Sequence, residues 1–516
     1  MLIASPKNDI EKHLQPAIRM KRLMLIHTAT ILLYCLFACS KSGDEAPTPN
    51  PPTTPSQLRM PVFLSDGMVV QQHATATYWG TTNPHATLQA EASWHNKPIT
   101  TVANEWGQWQ LQIPTPSASK TLQQVVITDS HNGRKVISDI LIGEVWFFAG
   151  QSNMEMPMRG FGSVANGNYQ PVANAEQEIA EALSLSHFRY FKVKYQAANT
   201  PQSDVKANTW WRASIPTEAR EFSAIAFFCG RKLATTLDIP IGIICAPYGG
   251  TRIEAWMPIE RLRQFDPDDY KDASELSADA AKKSAPGLLY NGMVHPLNPY
   301  TIRGFAWYQG ESNRDTAQSY ARLQQAMVEE WRKAKGDTDN SLPFYYVQIS
   351  GIGTNLDTYG SKLIEAQWDA QKLIPNSDLI TTSDVGDSEF LHYPNKRTPG
   401  ERLARLMLYR TYGVKSINPY GPQVASIRYS GGKAIVTFAN GKGMYATQAP
   451  IPFVQVAGSD KKFYTATASL NEAGELEASS PSVTAPKTIR YCFTSWHQST
   501  LFNEAGVPLA PFRSDR

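Results

Sequence analysis

At 516 residues the chain is too long for one ordinary hydrophobic core, so two or three domains are expected. With 42% hydrophobic and 18% charged residues it is neither a disordered chain nor a multi-span membrane protein. The formal charge of +3 resides in the first 38 residues, which hold five Lys/Arg and two acids; the remainder carries 44 of each sign and offers no nucleic-acid footprint.

Met20-Lys21-Arg22 is a basic start, and the apolar run from Leu23 to Phe37 is too short to span a bilayer comfortably. Residues 1–19 read as an upstream extension, with Met20 the better start. The run closes on Leu36-Phe37-Ala38-Cys39, which resembles the bacterial lipobox, so residues 1–38 are expected to be a signal peptide and Cys39 to be lipidated. An ordinary signal peptide cut nearby is the alternative. Ser40 lacks the aspartate that usually retains lipoproteins at the inner membrane. An exported protein anchored to the outer membrane, facing the periplasm or the outside, follows. Residues 39–56 then comprise the lipidated Cys39 and a proline-rich linker, which favours an extended PPII chain.

From 57 to 140 apolar and polar residues alternate, as in Leu88–Trp94 and Trp109–Ile113, with turn signals at Asn83-Pro84, Asn96-Lys97-Pro98 and Asn132-Gly133. Short alternating strands at this spacing indicate a β-sandwich module. At 141 the texture changes. Ile142–Ala149 is nearly continuous in apolar residues, as a strand buried on both faces requires. Similar runs recur at Ile239–Cys245, Ile302–Tyr308, Phe344–Ile349 and Leu379–Thr382, separated by helical segments at 221–236, 315–335, 361–373 and 399–412. This alternation means an α/β parallel sheet flanked by helices over 141–418. Strands return at Gln423–Tyr429 and Lys433–Phe438, giving a C-terminal β module over 419–516.

Beyond Cys39 the cysteines are Cys229, Cys245 and Cys492. Cys229 lies in a helical run and Cys245 ends an apolar strand, so both read as small core residues, although one disulfide remains open. Without a CxxC or a His-rich cluster, no metal site or cofactor is expected.

In an open parallel sheet, reactive groups sit beyond the carboxyl ends of the strands. The apolar strands here run into Gly150-Gln-Ser-Asn-Met154, Cys245-Ala-Pro-Tyr-Gly-Gly-Thr251, Gln309-Gly-Glu-Ser-Asn313 and, after Leu379, Asp384-Val-Gly-Asp387 followed by Leu391-His-Tyr-Pro394. Each alone has a structural reading: a turn, or a satisfied buried polar residue. Gly386-Asp387-Ser388 imitates a serine-esterase nucleophile motif, but it lies late in the body, where a base belongs. Four such sites at successive strand ends point to chemistry.

These blocks resemble the sialate O-acetylesterase type of SGNH hydrolase, and also a group of acetyl xylan esterases. The matching segments are Asp66–Gln72, Gly143–Trp146, Gly150–Met156, Gly249–Trp256, Tyr290–Pro296, Trp307–Asn313, His392–Lys396 and Pro511–Asp515. The resemblance implies a carboxylic ester hydrolase that removes O-acetyl groups from sugars through an acetyl-enzyme, with Ser152 as nucleophile and His392 as its base. Such a pair is needed because a serine hydroxyl is a weak nucleophile until an imidazole takes its proton. The Ser152 and Gly250 N–H groups and the Asn313 side chain are the candidate oxyanion donors.

The acid that would orient His392 is less plainly written. Most SGNH enzymes carry Asp three residues before the histidine, where this chain has Glu389, and relatives of this type often carry it two before, where this chain has Phe390. Asp387 stands five before. In the acetyl xylan relatives the glutamate of Gln-Gly-Glu is the candidate, which places Glu311 ahead of Asp387. Acetyl xylan or another acetylated carbohydrate is the alternative substrate. A lipase or arylesterase on the same fold is a further alternative, to be separated by acyl-chain length; a glycan-binding lipoprotein without activity is another, which the intact Ser152, His392 and Gln-Gly-Glu blocks oppose.

Overall fold

The computed structural model describes residues 55–516, apart from 163–166, 168, 182–184, 208–210, 214–215, 266–283, 352 and 354–356. The expected signal peptide, Cys39 and nearly all of the expected linker lie outside the described residues. Residues 54–516 form one compact unit.

The organising element is a 17-residue strand, Arg134–Gly150. Its first half pairs antiparallel with Ser119–Asp129 and parallel with Val69–Gln71. Its second half is buried throughout and pairs in parallel with Ile241–Pro247 on one side and Gly304–Tyr308 on the other. The change of texture at 140 therefore falls inside a continuous strand. Alternation ends where the strand leaves a half-solvated sheet and enters one covered on both faces.

The parallel sheet runs Ser377–Ile380, Phe344–Val347, Gly304–Tyr308, Arg134–Gly150, Ile241–Pro247 and Phe188–Lys192, with the short antiparallel Arg212–Ala213 at its edge. Phe188–Lys192 was not expected from the sequence, because its Arg and Lys interrupt the apolar run. Arg189 is nevertheless buried, since its guanidinium donates to Gly67 O at 2.8 Å and pairs with Asp139 at 2.9 Å. Helices Ala224–Leu237 and Arg397–Arg410 pack on each other, as do Ala317–Ala334 and Tyr359–Leu373. All four match expected segments within a few residues.

In the N-terminal module the alternation holds: along Gln108–Pro114 the residues Trp109, Leu111 and Ile113 are buried and their neighbours exposed. Its core is continuous with that of the α/β body, from Leu58 to Leu408, whereas Ala434 to Leu509 form a separate core in the C-terminal β region. The large aromatics belong mainly to these cores. Trp256, Trp307 and Trp331 are fully buried and meet edge-to-face at 5.6–5.7 Å, an arrangement worth about 0.5–1.5 kcal/mol per pair beyond area burial. Cys229, Cys245 and Cys492 are free and buried, so the disulfide left open by the sequence does not form among them.

Candidate active site

The register sets Gly150 beside Pro247 on one neighbour and beside Tyr308 on the other. Three strand ends thus finish level, and the residues that follow each of them meet. Gly150 has φ +144°, and a Cβ there would lie 2.1 Å from Tyr308 O, so only glycine lets the chain leave the sheet here. Ser152 opens the short helix Ser152–Glu155 immediately beyond.

The turn is tied on all sides. Gln151 N donates to Tyr308 O at 2.9 Å, and Gln151 Oε1 accepts from Gly310 N and Ser312 N at 3.2 and 3.3 Å. Asn153 Nδ2 donates to Glu311 Oε1 at 2.6 Å. Glu155 Oε2 accepts from Gly249 N at 2.7 Å, while Ser223 caps helix Ala224–Leu237 and donates to Met154 O at 2.6 Å. Gly249 presses against the nucleophile: a Cβ on it would lie 3.2 Å from Ser152 Cβ. Among the described residues the Ser152 hydroxyl is the polar side chain of this turn with no hydrogen bond.

His392 arrives from the loop beyond Ser377–Ile380. Its Nδ1 lies 2.7 Å from Gln170 Oε1, and because that oxygen can only accept, Nδ1 carries the proton. The ring packs edge-on against Phe161 at 4.9 Å. Nε2 is buried and has no hydrogen-bond partner. Burial, with the charge of Lys396 second, pulls the imidazole down to about 4. The ring is therefore neutral at ordinary pH, with Nε2 as a free acceptor, the form a general base requires.

Neither carboxylate expected to orient this ring touches it. Glu311 is spent on Asn153, and its other oxygen is buried without a partner; burial raises its pKa. Asp387 Oδ1 caps a turn, accepting from Glu389 N and Phe390 N at 2.8 and 3.0 Å. Glu389 is exposed, as is the decoy Ser388. The group on Nδ1 is an amide, Gln170, which sequence reasoning missed because it comes from a remote loop and belongs to no motif.

Of the expected oxyanion donors, Asn313 is placed otherwise. It is fully buried, its Nδ2 donates to Glu254 at 2.9 Å, and its Oδ1 accepts from Ile253 N and Gln309 Nε2. It therefore shapes the 249–256 segment through both ends of its amide. The Gly249 N–H is taken by Glu155, whereas the Ser152 and Gly250 N–H groups have no turn or loop partner. Gly250 has φ +68°.

Behind the nucleophile lies a buried polar chain that the sequence did not announce. Lys396 is fully buried, donates to Asn153 Oδ1 at 2.6 Å, and stands 3.7 Å over the Tyr393 ring. Burial lowers its ammonium to about 7, opposed by Glu311. Asn153 thus bridges Lys396 to Glu311. Through a longer 3.4 Å contact to Leu391 O it also touches the histidine loop.

The model of the carbohydrate esterase, sialic acid-specific acetylesterase family matches residues 142–409. The chain belongs to this family. It is a carboxylic ester hydrolase with an SGNH-like α/β fold. It is 26% identical to the human sialate O-acetylesterase over 88% of this chain and 92% of that one, and 26% identical to the mouse enzyme over 71% and 75%. A carbohydrate acetylesterase from Xanthomonas citri superposes with a TM-score of 0.77 at 29% identity, covering 89% of this chain and 99% of that structure. In this esterase the family match opens on the central strand and closes in helix Arg397–Arg410, so it takes in every strand end described above.

Proposed function

We propose that this esterase removes O-acetyl groups from sugars, with acetylated sialic acid as the leading substrate, using Ser152 as nucleophile and His392 as general base. The observation that carries the reading is the His392 ring: a neutral imidazole whose Nδ1–H is held by Gln170 and whose buried Nε2 is left free. In the reaction Nε2 takes the Ser152 proton as the hydroxyl attacks the acetyl carbonyl. The Ser152 and Gly250 N–H groups receive the oxyanion, each such donor being worth about 3–4 kcal/mol. The imidazolium then protonates the departing sugar oxygen, and water, activated by the same nitrogen, releases acetate. Catalytic hydrogen bonds are commonly loose in unliganded enzymes, so the Ser152–His392 bond is expected to form with substrate bound.

Ser152→Ala tests this directly. It should lower kcat on an acetyl ester by at least about 10³ while circular dichroism and Tm stay unchanged. Activity near wild type would move the nucleophile elsewhere. Assays on O-acetylated sialic acid and on acetylated xylan would separate the two carbohydrate readings.

The N-terminal segment supports export and a lipid anchor at Cys39, which together would hold the enzyme at the outer membrane. Cys39→Ser should move wild-type membrane-bound protein into a soluble or unprocessed form. Full partitioning of the unaltered protein into the aqueous phase of a detergent separation would remove the anchor and leave the enzyme reading intact.

A further inference from the structure

The segment after Gly304–Tyr308 builds more than the support of the nucleophile turn. A cavity of about 400 Å³ opens there, lined by Glu311, Ser312, Arg314, Asp357, Tyr359 and Ser495 among others. That volume lies within the ~300–1,000 Å³ usual for small-ligand sites. The wall of the cavity is fastened to both neighbours of Ser152, through Ser312 N to Gln151 Oε1 at 3.3 Å and through Glu311 Oε1 to Asn153 Nδ2 at 2.6 Å. The recess therefore begins beside the nucleophile turn.

Its side chains are arranged for a ligand rich in hydroxyls. Arg314 Nε is tied to Glu311 O at 2.9 Å, which roots the guanidinium, and its terminal nitrogens have no partner among the described residues. The acids are held in place. Asp315 pairs with Arg252 at 2.9 Å, and Asp357 accepts from Tyr359 N at 3.0 Å and from the Ser495 hydroxyl. Tyr359, the first residue of helix Tyr359–Leu373, is 59% exposed although it is a large aromatic at a cavity wall. Ser495 comes from the C-terminal β region, where its backbone N–H donates to Asp357 O at 2.6 Å and its hydroxyl accepts from Gly360 N at 3.0 Å. That region, with a hydrophobic core of its own, thus supplies part of a wall beside the esterase centre.

A long acyl chain would need an apolar lining, which this recess lacks. A pyranose offers the complement: an apolar C–H face for an aromatic ring, and hydroxyls for a free guanidinium and fixed carboxylates. We propose that the cavity is a glycan subsite on the alcohol side of the scissile ester, where Tyr359 carries the apolar face of a sugar ring and Arg314 and Asp357 bind its hydroxyls. The proposal rests on the sugar-deacetylase reading above and extends it to a second sugar unit.

The test compares substrates with and without a sugar. Wild type, Tyr359→Ala, Tyr359→Phe and Arg314→Gln are assayed on p-nitrophenyl acetate and on an O-acetylated xylo-oligosaccharide and an O-acetylated sialoside. Tyr359→Ala and Arg314→Gln should lose about tenfold or more in kcat/KM on at least one of the two glycans, mostly through KM. Tyr359→Phe should keep near-wild-type values, and p-nitrophenyl acetate turnover should stay within about twofold for all three. Unchanged glycan kinetics in both disruptive variants, or an equal loss on p-nitrophenyl acetate, would overturn the subsite. Calorimetric titration of the two deacetylated glycans into Ser152→Ala, with and without Tyr359→Ala, separates this from the parent reading. Binding weakened by Tyr359→Ala supports the subsite even if the wild type deacetylates neither glycan. Binding of neither, or binding indifferent to Tyr359, removes the subsite even if deacetylation is robust.

Discussion

The Ser152 turn and the His392 loop come together beyond the carboxyl ends of the strands, but they are built differently. The turn grows directly from the central strand, and it is fixed by short bonds to three other segments: Gln151 to Tyr308 and Asn153 to Glu311 in one, Glu155 to Gly249 in the second and Met154 to Ser223 in the third. The loop is fastened at a few points. Ala173 N donates to Pro394 O at 3.0 Å, the Tyr308 and Tyr393 hydroxyls meet at 3.0 Å, and Lys396 reaches Asn153. Its Leu391 is left 40% exposed beside the base. The contrast teaches that this esterase holds its nucleophile on a turn continuous with its central strand and its base on a loop tied at a few points. Changes in the loop around the base should therefore tune activity, whereas changes in the turn, or of His392 itself, should abolish it.

The sharpest way to break that comparison is at the base itself. His392→Ala should lower kcat by about 10³ or more with little change in Tm, since the ring is only half-buried and its neighbours are other loop residues. A large fall in Tm would mean that the loop is structural, contrary to the contrast drawn here. Next comes the chain that links the two regions. Glu311→Gln preserves an acceptor for Asn153 but removes the carboxyl that opposes the lowering of the Lys396 ammonium, so the fold should lose stability while Lys396 is charged. Because Lys396 sheds its proton near 7, the destabilisation should be greatest below that pH. Thermal melts at pH 5.5 and 8.5 read this out. Asp387→Asn should be much milder, since the amide oxygen can still cap the turn, and a crippling Asp387→Asn would restore Asp387 as the orienting acid.

A smaller effect is expected at Gln170. Gln170→Leu removes a neutral hydrogen-bond acceptor from Nδ1, so kcat should fall only about three- to tenfold. A buried carboxylate in that position would matter far more, because it also stabilises the imidazolium. A fall of about 10⁴ would show that Gln170 does more than accept this one hydrogen bond, whereas no fall at all would point to another group holding the ring during turnover.

The same contrast explains what the sequence could and could not disclose. Ser152, Gly249 and Glu311 were legible because each follows an apolar run buried on both faces, and parallel strands that finish level force their successors together. Gln170, Lys396 and the bridging role of Asn153 were not, because side chains from separate loops carry no periodicity and their partners are set by tertiary packing. The module boundary expected at 140/141 had a physical basis in a real change of burial. A change of burial along one strand, however, leaves the same mark on the sequence as a change of domain.

The subtlest expected effect concerns pH. His392 must be unprotonated to act, so activity is present above its pKa and lost as pH falls through it. Burial and then Lys396 hold that pKa at about 4, which places the acid limb of kcat/KM near there. Below about pH 7 Lys396 carries its charge, so it opposes protonation of the ring throughout the range in which the limb falls. Glu311 faces the ammonium through Asn153, and burial biases that carboxyl toward its neutral form, so it offsets the Lys396 charge only in part. Lys396→Met keeps the length and apolar packing over Tyr393 but removes the charge. The acid limb should then move up by about one pH unit, less than full release because burial remains the larger cause. Activity at pH 5 should drop while activity at pH 8 changes little. A role confined to holding Asn153 would instead lower kcat/KM evenly at every pH. Lys396→Arg, which keeps a charge that cannot be shed, should leave the limb near its wild-type position even if the larger head lowers the plateau. A limb that stays near 4 in Lys396→Met would mean that burial alone keeps the imidazole neutral, and that the loop governs the base through its walls and not through its charge.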